Sequence, residues 1–481
     1  MAISLFFLLI SPLVFSFLSL FTKDLKLIRL FSMASSLVVS ASIIYIYSMF
    51  FSTEVGIQVV SYEVFTYYTF TFFADGLTMA FLMLIALIMP ICYLSIQGSD
   101  REKEYLVSLL FLQFCMEGVF VAKDLLTFYV FFESVLIPMF FIVGSLGSRS
   151  RRIHAAFLLL LYTIFGSIPM LFSILSIKST AGTLDFQLLM DYDFGDISYL
   201  YWCTFFLAFA VKVPMMPFHI WLPEAHVEAP TAGSVVLAGV LLKLGTYGMV
   251  RFCIPLFPEA SQFFSPLVIL MSGIAVIYAS ASALRHIDLK KSVAYSSIAH
   301  MGVVTLGIFS NNVSSIEGCM FIMFSHGFVA SALFLCIGVL YDRYKTRIYT
   351  YYSGLVQIMP TFAIIFLFFT MANLALPGTS SFPGELLIML SAFDSDFVTG
   401  LIVTGSAILS SAYSLWMFNR FFYGVSKVDH LHVLSDLTFK EFLCFLPLVA
   451  VTLGLGIYPE FLIHLLSPTV ADLAHVLIVT Y

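Results

Sequence analysis

Six ionisable side chains stand inside apolar runs: Glu133 in FYVFFESVLIP, Lys212 in AFAVKVPMMPFH, Lys243 in GVLLKLGTYG, His300 in SSIAHMG, His326 in FSHGF and Glu385 in FPGELLIML. An ionised group at mid-bilayer costs about 2.5–3.5 kcal/mol even on a lenient insertion scale, so each must face protein, water or a partner. Burial disfavours the charged form, and an opposite charge nearby restores it. A Glu133–Lys212 pair can therefore take up or release a proton whenever its separation changes, and histidines, which titrate near neutrality, can relay one. Buried ion pairs that only lock helices together are the plainer alternative for the charged groups. For His300 and His326 it is a packed, hydrogen-bonded core histidine. The order Glu133, Lys212, Lys243, His300, His326, Glu385 along the chain favours a proton relay, since a lock does not need two lysines.

The elements that carry these groups are membrane spans. Of 481 residues, 61% are hydrophobic and only 10% charged, with a mean hydropathy of +1.03, whereas soluble domains carry roughly 25% charged residues. Apolar runs long enough to cross a bilayer fall at 1–21, 28–50, 78–97, 105–122, 125–146, 154–177, 199–218, 230–252, 263–284, 292–309, 316–341, 359–393, 397–423 and 441–466. They make about 14 transmembrane helices in one all-α integral membrane domain covering 1–481. Pro214 and Pro217 interrupt span seven beside Lys212; Pro377 and Pro383, with Gly378 and Gly384, interrupt span twelve just before Glu385. Such breaks free backbone groups and are tolerated only beside protein or water. An offset of five spans turns the second unit upside down. The chain thus reads as two inverted five-helix repeats with broken helices in spans seven and twelve, 105–252 and 263–423. Peripheral N-terminal helices (1–104) and a C-terminal segment (424–481) flank them. At residue level the repeats match only partly: His300 on span ten answers Glu133 on span five, but span thirteen offers no ionisable counterpart of Lys243.

Loops after odd-numbered spans hold 17 of the 22 Lys and Arg residues, which by the positive-inside rule puts them in the cytoplasm or matrix and both termini on the outer side. The first span has no basic leader and reads as a retained helix. Asp191, Asp193 and Asp196 read as a solvated loop face. The seven cysteines show no C-x-x-C pair, so neither a disulfide framework nor an iron–sulfur site is expected. Walker A and G-x-G-x-x-G patterns are missing as well, which leaves no nucleotide loop. Any redox chemistry belongs to other chains.

KVPMMPFHIWLPEAHVEAPTAGSVVLAGVLLKLGTYG (Lys212 to Gly248) resembles the signature of the antiporter-like, proton-translocating subunits of respiratory complex I. LLTFYVFFESVLIPM (Leu125 to Met139), KKSVAYSSIAHMG (Lys290 to Gly302), SHGFVASALFLCIGVLYDR (Ser325 to Arg343) and LALPGTSSFPGE (Leu374 to Glu385) extend the resemblance, which covers roughly 100–385. It implies that Glu133 and Lys212 form an adjustable ion pair, that Lys243 is the central relay continued by His300 and His326, and that Glu385 is the terminal group toward the outer side. No flavin, iron–sulfur cluster or quinone is implied in this chain; FMN, iron–sulfur clusters and ubiquinone belong elsewhere in the parent complex. The partners implied are other membrane-arm subunits, neighbouring antiporter-like ones among them, and membrane lipids, with no nucleic acid. The setting implied is the mitochondrial inner membrane, with both termini toward the intermembrane space. Two rivals share parts of this pattern: a subunit of a cation/proton antiporter or membrane hydrogenase, and a purely structural scaffold.

Overall fold

The structure, a computed structural model, describes residues 2–52, 58–65, 68–96, 101–310, 312–425 and 435–479. Lys427 and Tyr481, which entered the topology expectation, lie outside these residues. Helices dominate: α1 (Ala2–Phe21), α2 (Leu25–Ser52), α3 (Gly76–Ser95), α4 (Glu102–Val121), α5 (Leu125–Leu146), α6 (Arg152–Ala181), α7 (Ser198–Lys212), α8 (Trp221–Glu228) and α9 (Thr231–Leu256) make up the first part. The rest holds α10 (Pro258–Arg285), α11 (Leu289–Ile308), α12 (Val313–Tyr344), α13 (Pro360–Asn373), α14 (Ser381–Ser395), α15 (Phe397–Phe422), α16 (Phe439–Ile457) and α17 (Glu460–Val479). Local chemistry fixes several starts. Asp75 closes a capping box with Thr78 at α3, Thr438 does so with Glu441 at α16, and Asp288 and Asn312 accept backbone N–H groups at α11 and α12, satisfying amides that have no partner within the first turn.

Among the described residues, 11 helices are long and apolar enough to cross a membrane. Of the other expected spans, α11 carries too many serines and lysines, and the two broken spans divide into α7–α8 and α13–α14, each piece too short alone. The expected last span 441–466 also divides: α16 ends at Ile457 and the chain restarts as α17 beyond Pro459, because proline cannot continue the helix before it. A two-stranded antiparallel hairpin, β1 (Gln58–Phe65) and β2 (Tyr68–Ala74), joins α2 to α3 and adds a small β element to the helical fold.

α9 and α12 are buried along their whole apolar length, whereas α1, α2, α6, α15 and α16 turn most of theirs outward. Phe17, Leu161, Phe165, Phe172, Ile364 and Ile408 are exposed, an apolar exterior suited to lipid rather than water. α3, grouped above with the peripheral helices, is mostly buried inside the bundle. α17 packs on α3 and α12. The contact is so close that a Cβ on Gly76 would run into the Leu465 carbonyl oxygen.

Candidate functional site

Hydrogen bonds tie down both breaks, where a helix that stops inside the membrane frees backbone groups. At the first, Val213 N–H donates to the Phe209 carbonyl (2.8 Å), Met215 N–H to the Ala210 carbonyl (2.9 Å) and Trp221 Nε1 to the Val211 carbonyl (2.9 Å), so three carbonyls of the last turn of α7 are satisfied where the helix stops at Lys212. At the second, Ser325 Oγ on α12 hydrogen-bonds Ser380 Oγ (2.7 Å) and Ser381 Oγ (2.8 Å) at the start of α14. Glu385 follows one turn later.

Lys212 is buried, and its Nζ lies 4.6 Å from the centroid of the Phe132 ring, a cation–π contact. Glu133 is the next residue on α5. Its Oε1 is buried without a hydrogen-bond partner, and no Lys212–Glu133 contact closes to 4.0 Å, although the two charges attract across the gap. The expected pair is therefore not closed in this structure.

Lys243 sits at the centre, fully buried on α9. Two π-helical turns, Leu237–Leu241 and Met249–Cys253, flank it, a distortion often found at functional sites. Its Nζ donates to the Ala238 carbonyl (2.6 Å) and lies 2.9 Å from His326 Nδ1 on α12. Gly245 brings α7 alongside: a Cβ there would stand 2.9 Å from the Phe209 carbonyl oxygen and 3.0 Å from Lys212 Cβ. The His326 and His300 rings are 5.6 Å apart, and His300 Nδ1 lies 3.5 Å from Glu385 Oε1. The structure therefore joins Lys243, His326, His300 and Glu385 into one file, with His326 before His300, the reverse of their sequence order. Glu133 and Lys212 stand near each other without contact, and they reach the file only through the α7–α9 packing.

Four features escaped the sequence expectation. Arg251 is buried in the second π turn and paired with Asp75. Glu117 on α4 is fully buried and accepts from Gln113 Nε2 (2.8 Å), which in turn accepts from the Tyr93 hydroxyl (2.6 Å). His226 stacks on Phe334 (4.4 Å) with both ring nitrogens unpartnered. Tyr413 on α15 hydrogen-bonds His300 Nε2 (3.2 Å). Glu117, a charge within FLQFCMEGVFVA, met the same criterion as Glu133 and could have been found; Tyr413 carried no such signal. Among the described residues, no group of three or more His, Cys, Asp or Glu is placed to hold a metal ion.

Comparison with known proteins agrees with this geometry. A family model described as NADH:quinone oxidoreductase/Mrp antiporter, transmembrane, matches residues 122–410. The NADH-ubiquinone oxidoreductase chain 4 of Arabidopsis thaliana is 48% identical over 97% of this chain and 96% of its own. That of Prototheca wickerhamii is 54% identical over 80% of this chain and 74% of its own. A chain of respiratory complex I from Thermus thermophilus with bound NADH superimposes with a TM-score of 0.89 at 29% identity, over 98% of this chain and 99% of that one. Near-complete coverage at this identity, with the buried file inside the matched region, places the chain in the family of NADH-ubiquinone oxidoreductase chain 4, the antiporter-like membrane subunits of complex I.

Proposed function

We propose that this chain moves protons along Glu133, Lys212, Lys243, His326, His300 and Glu385. The chain is a core membrane-arm subunit of the proton-translocating NADH:ubiquinone oxidoreductase of mitochondria, a multi-pass protein working beside other membrane-arm subunits. The observation that carries the path is the 2.9 Å contact between Lys243 Nζ and His326 Nδ1, which places a buried amine against a buried imidazole with no carboxylate at the contact. One of the two must be neutral for this to persist, so a proton can pass between them without two charges accumulating. Energy enters as a change in the Glu133–Lys212 separation. Two unit charges 4 Å apart attract by about 4 kcal/mol at an effective permittivity of 20, more than the about 2.3 kcal/mol that moving one charge against 100 mV demands. Opening or closing that pair is large enough to drive the step. The driving reaction, NADH oxidation on FMN and iron–sulfur clusters and reduction of ubiquinone, takes place in other subunits.

The working units of this reading are the inverted repeats 105–252 and 263–423, each with one broken helix, flanked by 1–104 and 424–481. The basic loops face the matrix and both termini the intermembrane space. Protease protection checks the orientation: a tag after Tyr481 should be cut in intact mitochondria once the outer membrane is opened, and cutting only after the inner membrane is breached would reverse it.

Lys243→Met tests the path. In assembled complex it should stop pumping and NADH-driven quinone reduction together, while NADH oxidation by an artificial acceptor at the distant flavin continues. Normal pumping by this variant would remove Lys243 from the path and leave a scaffolding role for the buried charges.

A further inference from the structure

Span thirteen, α15, has no charged counterpart of Lys243, yet it delivers a side chain to the same file. Tyr413 is buried, and its hydroxyl reaches His300 Nε2 at 3.2 Å, on the side of the ring opposite the Glu385 contact. Asn373 at the end of α13 and Ser296 on α11 are the polar side chains nearby that act on the hydroxyl. A cavity of about 10 Å³ lined by His300, Glu385, Tyr413, Ser406 and Ser410 adjoins the cluster, at the lower limit for a single water. We propose that Tyr413 is a positioning residue that holds the His300 ring so that Nδ1 faces Glu385 in both protonation states; the proposal rests on the path argued above.

A neutral imidazole offers one donor and one acceptor nitrogen, and a protonated one offers two donors. A group that only donates, or only accepts, would lose its bond at Nε2 in one of the two states. A phenol does both. When His300 is neutral with its proton on Nδ1, the Tyr413 hydroxyl donates to Nε2, and the Nδ1 proton points at the Glu385 carboxylate. In the other neutral form Nε2–H donates to the Tyr413 oxygen, and the phenol turns its own proton away. A proton passed along the file then binds Nδ1, with Nε2–H still held by Tyr413, and leaves from Nδ1 to Glu385 Oε1, which returns His300 to that neutral form. No covalent bond of Tyr413 changes, so it orients the transfer without carrying it. The titratable groups that face His300 are Glu385 on α14 and His326 on α12; α10 contributes only Ser280 to the cavity and α11 only Ser296 to the phenol.

Tyr413→Phe removes the hydroxyl and keeps the ring. Measured per assembled complex, coupled quinone reduction should fall roughly threefold to tenfold, the effect of one lost hydrogen bond. The pH profile of turnover should also be displaced from wild type, because His300 loses a partner that follows its protonation state. An unchanged rate, or a lower rate with an unchanged pH profile, would overturn the proposal; the second result would mean that the hydroxyl only supports packing. Should Tyr413→Phe lower assembly, Asn373→Ala removes one polar neighbour of the phenol and should displace the profile less, in the same direction; no displacement there also overturns it. Lys243→Met and Glu385→Gln separate the two levels. If both pump normally, the path itself fails; if both stop pumping while Tyr413→Phe behaves as wild type, only the positioning role fails.

Discussion

The two broken helices handle proton chemistry in opposite ways. Around α7 the ionisable groups are held apart: Lys212 rests on the Phe132 ring and Glu133 keeps an unpartnered oxygen. Around α14 the groups touch directly, Glu385 to His300 and His300 to Tyr413. A gap between charges stores electrostatic energy that a small movement releases, whereas a hydrogen-bonded file passes a proton with little movement. The first break is suited to receiving energy and the second to conducting the proton, with Lys243 between them.

Glu133→Gln should break the first half completely, since it keeps the shape and removes the charge that tunes Lys212. Coupled NADH-driven quinone reduction and pumping should both drop to background with assembly held equal. Glu133→Asp keeps the charge on a shorter stem and should retain part of both. A Gln variant pumping at the wild-type rate would falsify the energy-input role.

Gly245→Ala should give an intermediate effect. The added methyl meets Val213 Cγ2 first, then the Phe209 carbonyl oxygen and Lys212 Cβ, and overpacking of this kind costs about 1–3 kcal/mol. Because the crowded end of α7 carries Lys212, turnover should fall further than the melting temperature of the assembled complex does. Equal activity and stability would show that α7 and α9 need not be this close for coupling.

Arg343→Ala is the control at the small end. Its guanidinium holds Glu441 through two bonds of 2.8 Å where α12 ends and α16 begins, away from the file. Loss of a partly exposed pair costs about 0.2–1 kcal/mol, so thermal stability should slip slightly and pumping should hold. A pumping defect comparable to that of Glu133→Gln would erase the contrast between the file and its surroundings.

The charges and the breaks were legible in the sequence because each violates a strong rule: a bilayer penalises Lys243, and a helix penalises Pro214 and Pro377. What could not be read obeyed no such rule. Tyr413 is one of 24 tyrosines in a chain that is 17% aromatic, and only the packing of α15 on α11 makes it a neighbour of His300. The swapped order of the two histidines follows from α12 lying between α9 and α11, a tertiary fact with no local signature. The π turns around Lys243 leave no residue pattern either. The end of span fourteen was the opposite case, for Pro459 was visible, but hydrophobicity continued across it and masked the break.

Those π turns also bear on which sequence changes α9 can accept. Each fits an extra residue into a turn of the helix, so removing one residue from Leu237–Leu241 would relax that turn to an ordinary α-helix with both flanks kept on their faces. The α-helical stretch between the turns, Leu242–Gly248, has no such slack, and a deletion there would swing everything on one side by about 100°, the rotation of a single residue at 3.6 per turn. Lys243 and the turn beyond it could then no longer face their partners together. A single-codon deletion is thus absorbed in a π turn and disruptive between the two, so relatives that still pump should keep the length of the Leu242–Gly248 stretch unchanged even where its residues differ.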